Sequence, residues 1–345
     1  MAFMNNSKQT YNKRQNEKLE YASSGFLSPL SCWDRIKGSL ILPMLLLQGL
    51  MNMEEYMSIF GFLILLPLVI RVQGGINIDV NQEASFDENY VVTWGQDHVS
   101  KLNQNKEVQL SMDHNSGSGF ESKNHYGSGF FQMRIKLPQK NSAGIVIAFY
   151  LTSKGNIQDE VDFEFLGNRE GKPITIQTNV FTKGQGNREQ RFVLWFDPTE
   201  DFHAYGILWN PYHIVFYIDN IPIRVFKNNT KGISYPSKPM QVVSSLWNGE
   251  AWATEGGKAK INWSYALKKS LGIGAHFQGF SESGCHVDGL NVCGSSTYWW
   301  NTGKYVGLRV SEQKAYENAK AKYMNYDYCS DHTRFSVLPD ECQWN

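Results

Sequence analysis

The chain has no charge of one sign to spare: Lys and Arg together number 33, and so do Asp and Glu. With no basic excess and no run of Lys or Arg, the electrostatic footprint of a nucleic-acid binder is missing. The five cysteines contain no Cys-x-x-Cys spacing, and His286 is poorly placed to share a metal with Cys285, which disfavours a zinc site. No repeat of solenoid period is visible. A long membrane-spanning run is also missing, because the apolar stretch 59–70 is short and holds Pro67. Neither a metal nor an organic cofactor is implied.

That short apolar run fits a secretory signal over residues 57–74, with Val72 and Gly74 small enough to precede cleavage after Gly74. Residues 1–56 then form a doubtful upstream extension, with translation starting at Met51, Met53 or Met57. The rival reading is a signal anchor that tethers the protein to a membrane. N-terminal sequencing separates the two, since a product starting near Gly75 removes the anchor. The expected product is secreted, with no stable membrane association after cleavage.

From residue 75 onward the chain is rich in aromatics, which make up 14% of the whole sequence. Short Val/Ile/Phe/Tyr-rich runs at 108–112, 130–137, 145–151, 160–166, 174–181, 191–196, 203–209, 212–218, 223–226 and 240–246 read as strands separated by turn residues. Asp219-Asn220 suggests a hairpin between two of them. Many short strands with little helix imply an all-β, two-sheet sandwich of jelly-roll type. Residues 311–323 form the one helical pattern, with Tyr316 and Tyr323 as anchors. Most of the tryptophans belong to a packed core on the plain reading, and some can serve as flat platforms for sugars. Cys285, Cys293, Cys329 and Cys342 lie in a turn-rich C-terminal region and allow three pairings. The two local pairings close short loops and suit an oxidising compartment.

The stretch 159–165, Asp-Glu-Val-Asp-Phe-Glu-Phe, carries the chemistry. A period of two puts Glu160, Asp162 and Glu164 on one face, with Val161, Phe163 and Phe165 on the other. Three like charges along one strand face bring the sheet no stability. Crowding does push carboxyl pKa values apart, and glycosidic-bond chemistry requires two carboxyl groups with separated roles.

Asp-Glu-Val-Asp-Phe-Glu-Phe-Leu-Gly-Asn at 159–168 resembles the active-site signature of plant xyloglucan endotransglucosylase/hydrolases, a branch of glycoside hydrolase family 16. Further matching blocks lie at 116–120, 177–181, 194–198, 202–203, 207–211, 245–248, 252–254, 323–329 and 334–335. The resemblance implies a curved family 16 β-jelly-roll domain with a long substrate cleft over 75–265 and a C-terminal extension with a short helix over 266–345. It also implies Glu160 as nucleophile, Glu164 as general acid/base and Asp162 as the residue that tunes the nucleophile. It places Tyr150, Gln177 and Asn179 beside the acids, and Trp247, Trp252 and Gly256 in subsites for the glucan donor. Arg191, Tyr326 and Arg334 fall on the acceptor side, and the favoured disulfides are Cys285–Cys293 and Cys329–Cys342. The implied partners are a xyloglucan donor and a xyloglucan or oligosaccharide acceptor, in the cell wall and apoplast.

Two departures stand out. Gln158 occupies a position where the family usually has His; no chemistry is expected of it, although it can change the strand's surroundings. The family's frequent sequon after the signature is missing, since Asn168-Arg169-Glu170 does not fit. Asn228 and Asn262 do begin sequons, as does Asn5 upstream; Asn228 is the better candidate because Asn262 sits beside Trp263. The implied activity is transfer of a cleaved xyloglucan chain to another chain. The lack of an obvious insertion around 247–263 favours transfer over a hydrolytic xyloglucanase. A non-catalytic glucan-binding wall protein is the alternative from another class.

Overall fold

The computed structural model describes residues 84–229, 232–266, 274–287 and 292–343. The expected signal and upstream stretch, with Asn5, lie outside the described residues. In chain order the strands are β1 Tyr90–Trp94, β2 Val99–Leu102, β3 Glu107–Ser111, β4 Ser118–Ser122, β5 Tyr126–Lys136, β6 Ile145–Thr152, β7 Glu160–Leu166 and β8 Thr175–Phe181. They continue with β9 Gln190–Val193, β10 His203–Trp209, β11 His213–Ile218, β12 Ile221–Lys227, β13 Gln241–Asn248, β14 Gly274–Gln278, β15 Ser283–His286 and β16 Met324–Asp327. Three α-helices accompany them among the described residues: α1 Phe86–Asn89, α2 Trp263–Ala266 and α3 Val310–Tyr323.

The strands form two antiparallel sheets. The first runs β1-β4-β13-β6-β7-β8-β9-β16. The second runs β12-β11-β10-β5-β14-β3-β2, with β15 also pairing β5. Apolar side chains at alternate positions of the first sheet turn inward onto the second. Phe163 of β7 meets Phe216 of β11 edge-on, with ring centroids 5.1 Å apart. Phe165 meets Tyr205 of β10 at 4.6 Å. These pairs fix the sandwich and leave the even-numbered residues of β7 on the outer face of the first sheet.

The second sheet is covered on both faces. Its outer side carries Phe130, Leu208, Val215, Tyr217 and Val225, packed against Trp300 and Tyr316 of the C-terminal segment. This explains why β10 and β11 read as nearly continuous apolar runs. In α3, Tyr316 and Ala319 are buried and Tyr323 packs on Trp195 at 5.1 Å. The expected hairpin is present: Ile218 pairs Ile221, and Asp219 and Asn220 both take positive φ, 47° and 66°. Two left-handed central residues are what a tight hairpin between right-twisted strands needs.

Two boundaries differ from the sequence reading. The run expected over 191–196 stops at Val193, where the chain turns toward Pro198. The sandwich also extends past residue 265. β14 lies between β5 and β3 inside the second sheet, and β16 adds the last strand of the first. Strand pairing between segments this distant in sequence leaves no local signal.

Candidate active site

β7 is buried along its whole length. Val161, Phe163 and Phe165 are core residues at 0% exposure, while Glu160, Asp162 and Glu164 on the other face are only 3%, 4% and 7% exposed. Carboxyl groups this buried on an outer face lie in a recessed floor rather than on a solvated surface.

Strand register shows what flanks them. The row through Glu164 runs Ser245, Ala148, Glu164, Gln177, Arg191, Tyr326 across five strand pairings. The row through Asp162 runs Glu121, Val243, Tyr150, Asp162, Asn179. Glu160 lies between Thr152 and Phe181. The sequence-predicted Tyr150, Gln177, Asn179, Arg191 and Tyr326 therefore all stand in register with one of the three acids.

A relay of side chains orients Glu164. Gln177 donates from Nε2 to Glu164 Oε2 at 2.6 Å, and Arg191 donates from Nε to Gln177 Oε1 at 2.7 Å. Each bond fixes the next, because an amide that accepts at its oxygen must present its N–H2 the other way. The Arg191 guanidinium in turn lies over the Tyr326 ring at 5.2 Å. Asn179 accepts backbone N–H bonds from Val180 and Arg188 at its oxygen, which holds the side chain still beside Asp162. Burial, and next the charge of Glu160, push the Tyr150 hydroxyl well above its ordinary range, so it remains a proton-bearing donor.

Gln158 alters the surroundings of the acidic strand. Its Nε2 donates to Glu160 Oε2 at 3.2 Å, so it touches the outermost acid directly. A side chain two residues upstream on the same chain can fold back onto the strand start, but nothing in the sequence pattern signals that it does. Asp159 does structural work. Its two oxygens accept backbone N–H bonds from Lys183 at 2.8 Å, Ser237 at 2.8 Å and Lys238 at 3.1 Å. Three such bonds pin two neighbouring loops to the start of β7.

The C-terminal segment completes one end of the floor. Arg334 donates to Glu189 Oε2 at 2.6 Å, to the Tyr326 hydroxyl at 3.2 Å and to Asn187 at 2.6 Å. Burial alone lowers its pKa, but the bond and charge of Glu189 outweigh burial and hold the guanidinium above its ordinary value. The Tyr326 hydroxyl donates to Asp331 at 3.0 Å. Disulfides Cys285–Cys293 and Cys329–Cys342 are both present.

Trp252 lies on the loop after β13 and, with Asn179, Arg191 and Arg334, lines a cavity of about 490 Å³. The sequence reading grouped Trp252 with the donor side, yet it stands beside residues expected on the acceptor side. Its ring is 6.1 Å from Trp247. Thr254 anchors this loop: its hydroxyl accepts from Gly144 N at 2.8 Å and donates to Gly167 O at 2.6 Å. Glu255, Gly256 and Gly257 follow with φ of 51°, 64° and 87°, a left-handed turn that favours glycine. Of the sequon asparagines, Asn228 is exposed at the end of β12 and donates to Pro211 O, while Asn262 is half-buried and caps Ser264.

Residues 86–265 match the family model described as glycosyl hydrolases family 16. Residues 294–342 match the one described as xyloglucan endo-transglycosylase (XET) C-terminus. A putative xyloglucan endotransglucosylase/hydrolase protein 1 of Arabidopsis thaliana is 66% identical over 300 residues, covering 86% of this chain and 100% of the relative. Xyloglucan endotransglucosylase/hydrolase protein 2 of the same plant is 71% identical over 265 residues, covering 75% of this chain and 89% of the relative. A solved Bacillus licheniformis β-glucanase aligns with a TM-score of 0.46 at 22% identity, covering 59% of this chain and 94% of that one.

Proposed function

The chain belongs to the xyloglucan endotransglucosylase/hydrolases of glycosyl hydrolase family 16, and from that membership we propose that it cuts the β-1,4-glucan backbone of xyloglucan and joins the cut chain to another. Glu160 is the nucleophile. Its carboxylate attacks the anomeric carbon while Glu164 gives its proton to the departing glycosidic oxygen. The result is a glycosyl-enzyme and a free chain end. Glu164, now ionised, takes the proton from an acceptor hydroxyl, which attacks the same carbon and releases Glu160. Asp162 sits between the two and tunes the first carboxylate, and Gln158 adds a hydrogen-bond donor to it.

The observation that carries the choice of transfer is the pairing of β16 with β9, which sets Tyr326 beside Arg191 in the row of Glu164. The C-terminal segment thereby lengthens the floor on one side of the acids. A sugar acceptor that binds there competes with water through its effective concentration at the reacting carbon. Trp252, Arg191 and Arg334 belong to this acceptor side, and Trp247 joins the donor side to it. Tyr150, Gln177 and Asn179 hold the sugar at the point of cleavage. The family and the short apolar signal together support secretion to the cell wall, where Asn228 is the exposed glycosylation site. Incubation with xyloglucan and a labelled oligosaccharide acceptor tests the proposal. Label entering polymer supports transfer; a fall in polymer size without incorporation means hydrolysis and overturns it.

A further inference from the structure

The row through Glu164 does not end at Ser245. Ser245 pairs Gly119 of β4, and Gly119 pairs Trp94 of the edge strand β1. Cross-strand partners project to the same face, so Trp94 stands on the floor that carries the acids. It lies on the opposite side of them from Arg191 and Tyr326. Four strand spacings separate β1 from β7, about 19 Å at Cα and the length of several sugar rings.

The local sequence leaves room for this indole over the strand beside it. A Cβ on Gly119 would fall 2.4 Å from Trp94 Nε1, and one on Gly117 would fall 3.0 Å from the far corner of the ring. A side chain at Gly119 would collide with the indole, and one at Gly117 would meet both the Leu246 carbonyl and the ring. A register shift between Val92 and Trp94 turns the strand so that Val92 packs against the core while Trp94 does not. Trp94 remains partly exposed and makes no ring-to-ring contact among the described residues. The Nε1 to Cη2 side of the indole lies over the two glycines, and the ring is partly open to solvent on the face of the sheet that carries the acids.

The geometry points to Trp94 as a distal sugar platform, on which a ring of the donor glucan far from the scissile bond stacks its apolar face. This rests on the glucan reading of the cleft and adds to it a length requirement on the donor. Only a chain that extends several rings beyond the cleavage point reaches the indole. An indole face of roughly 50 Å² taken out of water corresponds to a factor of about ten in affinity.

The test compares wild type, Trp94→Ala and Trp94→Phe on xyloglucan oligosaccharides graded in length and on polymer, with a labelled acceptor. The ratio of KM for polymer to KM for the shortest donor should rise about tenfold in W94A and by much less in W94F, which keeps a flat ring. An equal rise for all donors, or no rise for any, overturns the platform. Binding of the same graded oligosaccharides to the Glu160→Ala and Glu160→Ala/Trp94→Ala proteins, followed by calorimetry, reads the platform without turnover. If wild type turns over no donor yet length-dependent binding needs Trp94, the activity proposal fails and the platform stands. If affinity stays independent of Trp94 at every length, the platform fails whatever the activity.

Discussion

Glu282 makes stability depend on pH in a direction opposite to that of most carboxylates. It follows the buried Phe280 and stands beside Tyr90, within the aromatic cluster that Phe86, Tyr90, Phe120 and Phe280 form under α1. Both carboxyl oxygens are shut off from solvent. Burial pushes the group up to about 7, and the Tyr90 hydroxyl pulls it only part of the way back. A carboxyl that rises on folding favours its protonated form in the native state. Its contribution is complete below the ordinary value near 4.5 and is lost as pH climbs through 7. The loss amounts to about 3 kcal/mol by pH 8.5. For a sandwich of this size that is a fall in Tm of about 6–10 °C. Glu282→Gln cannot ionise. Any packing cost of its amide is the same at both ends of the range, so the comparison of two proteins at two pH values cancels it. Thermal unfolding at pH 5 and pH 8.5 should show the wild type losing about 3 kcal/mol more than the variant. Parallel loss in the two proteins refutes the reasoning.

Three further perturbations test other parts of the site. Gln158→Met removes the donor to Glu160 while keeping the side chain's length, and a hydrogen bond to a charged group at a partly exposed position is worth about 1.5 kcal/mol. Steady-state assays should show kcat/KM down about tenfold with Tm unchanged within a degree or two; unchanged kcat/KM removes Gln158 from the mechanism. Thr254→Val strands the Gly144 N–H and the Gly167 carbonyl. It should cost about 2 kcal/mol in denaturant unfolding and raise KM for the acceptor through the Trp252 loop. Arg224→Met empties a buried cation site that holds Thr178 and Arg188, and should destabilise the fold by about 3 kcal/mol in the same denaturant assay.

The period-two pattern of residues 160–165 was enough to assign the faces of β7 correctly, because alternation survives wherever one sheet face meets a core. A helical pattern likewise found Tyr316 and Tyr323 on α3. Periodicity fell short where contacts are long-range. β14 enters the middle of the second sheet from a segment read as an appendage, and Gly274 gives that strand no apolar signal at its start. Gln158 stood out as a departure, but its bond to Glu160 has no sequence signal, because a lone polar residue before a strand looks like any turn residue. Trp252 was expected on the donor side, and only the structure shows that its loop also lines a cavity with Arg191 and Arg334, because sequence gives the identity of a loop residue but not its neighbours.

Arg224 supplies what alternation alone cannot. It projects from β12 of the second sheet and is 1% exposed. Its guanidinium reaches the first sheet, donating to the carbonyl and hydroxyl of Thr178 at 2.8 and 2.9 Å and to the Arg188 carbonyl at 2.6 Å. Thr178 stands between Gln177 and Asn179, the two cleft-facing residues of β8. Burial lowers the pKa of Arg224, and the nearby phenol of Tyr328 and the carboxyls of Asp327 and Asp162 oppose that fall. Phe216 and Tyr328 frame the cation at 5.5 and 5.9 Å. A cation on the core side of β8 thus complements a floor that crowds three carboxyl groups on the cleft side of the adjacent strand. The interior of a sandwich is a costly place for an arginine unless carbonyls and carboxylates compensate it. Here the compensation comes from the strand that positions Gln177 on Glu164 and from the C-terminal segment that carries Tyr326. One buried side chain therefore ties together the acids, the amide that orients one of them and the extension that lengthens the floor, which is why the C-terminal segment is part of the site rather than an attachment to it.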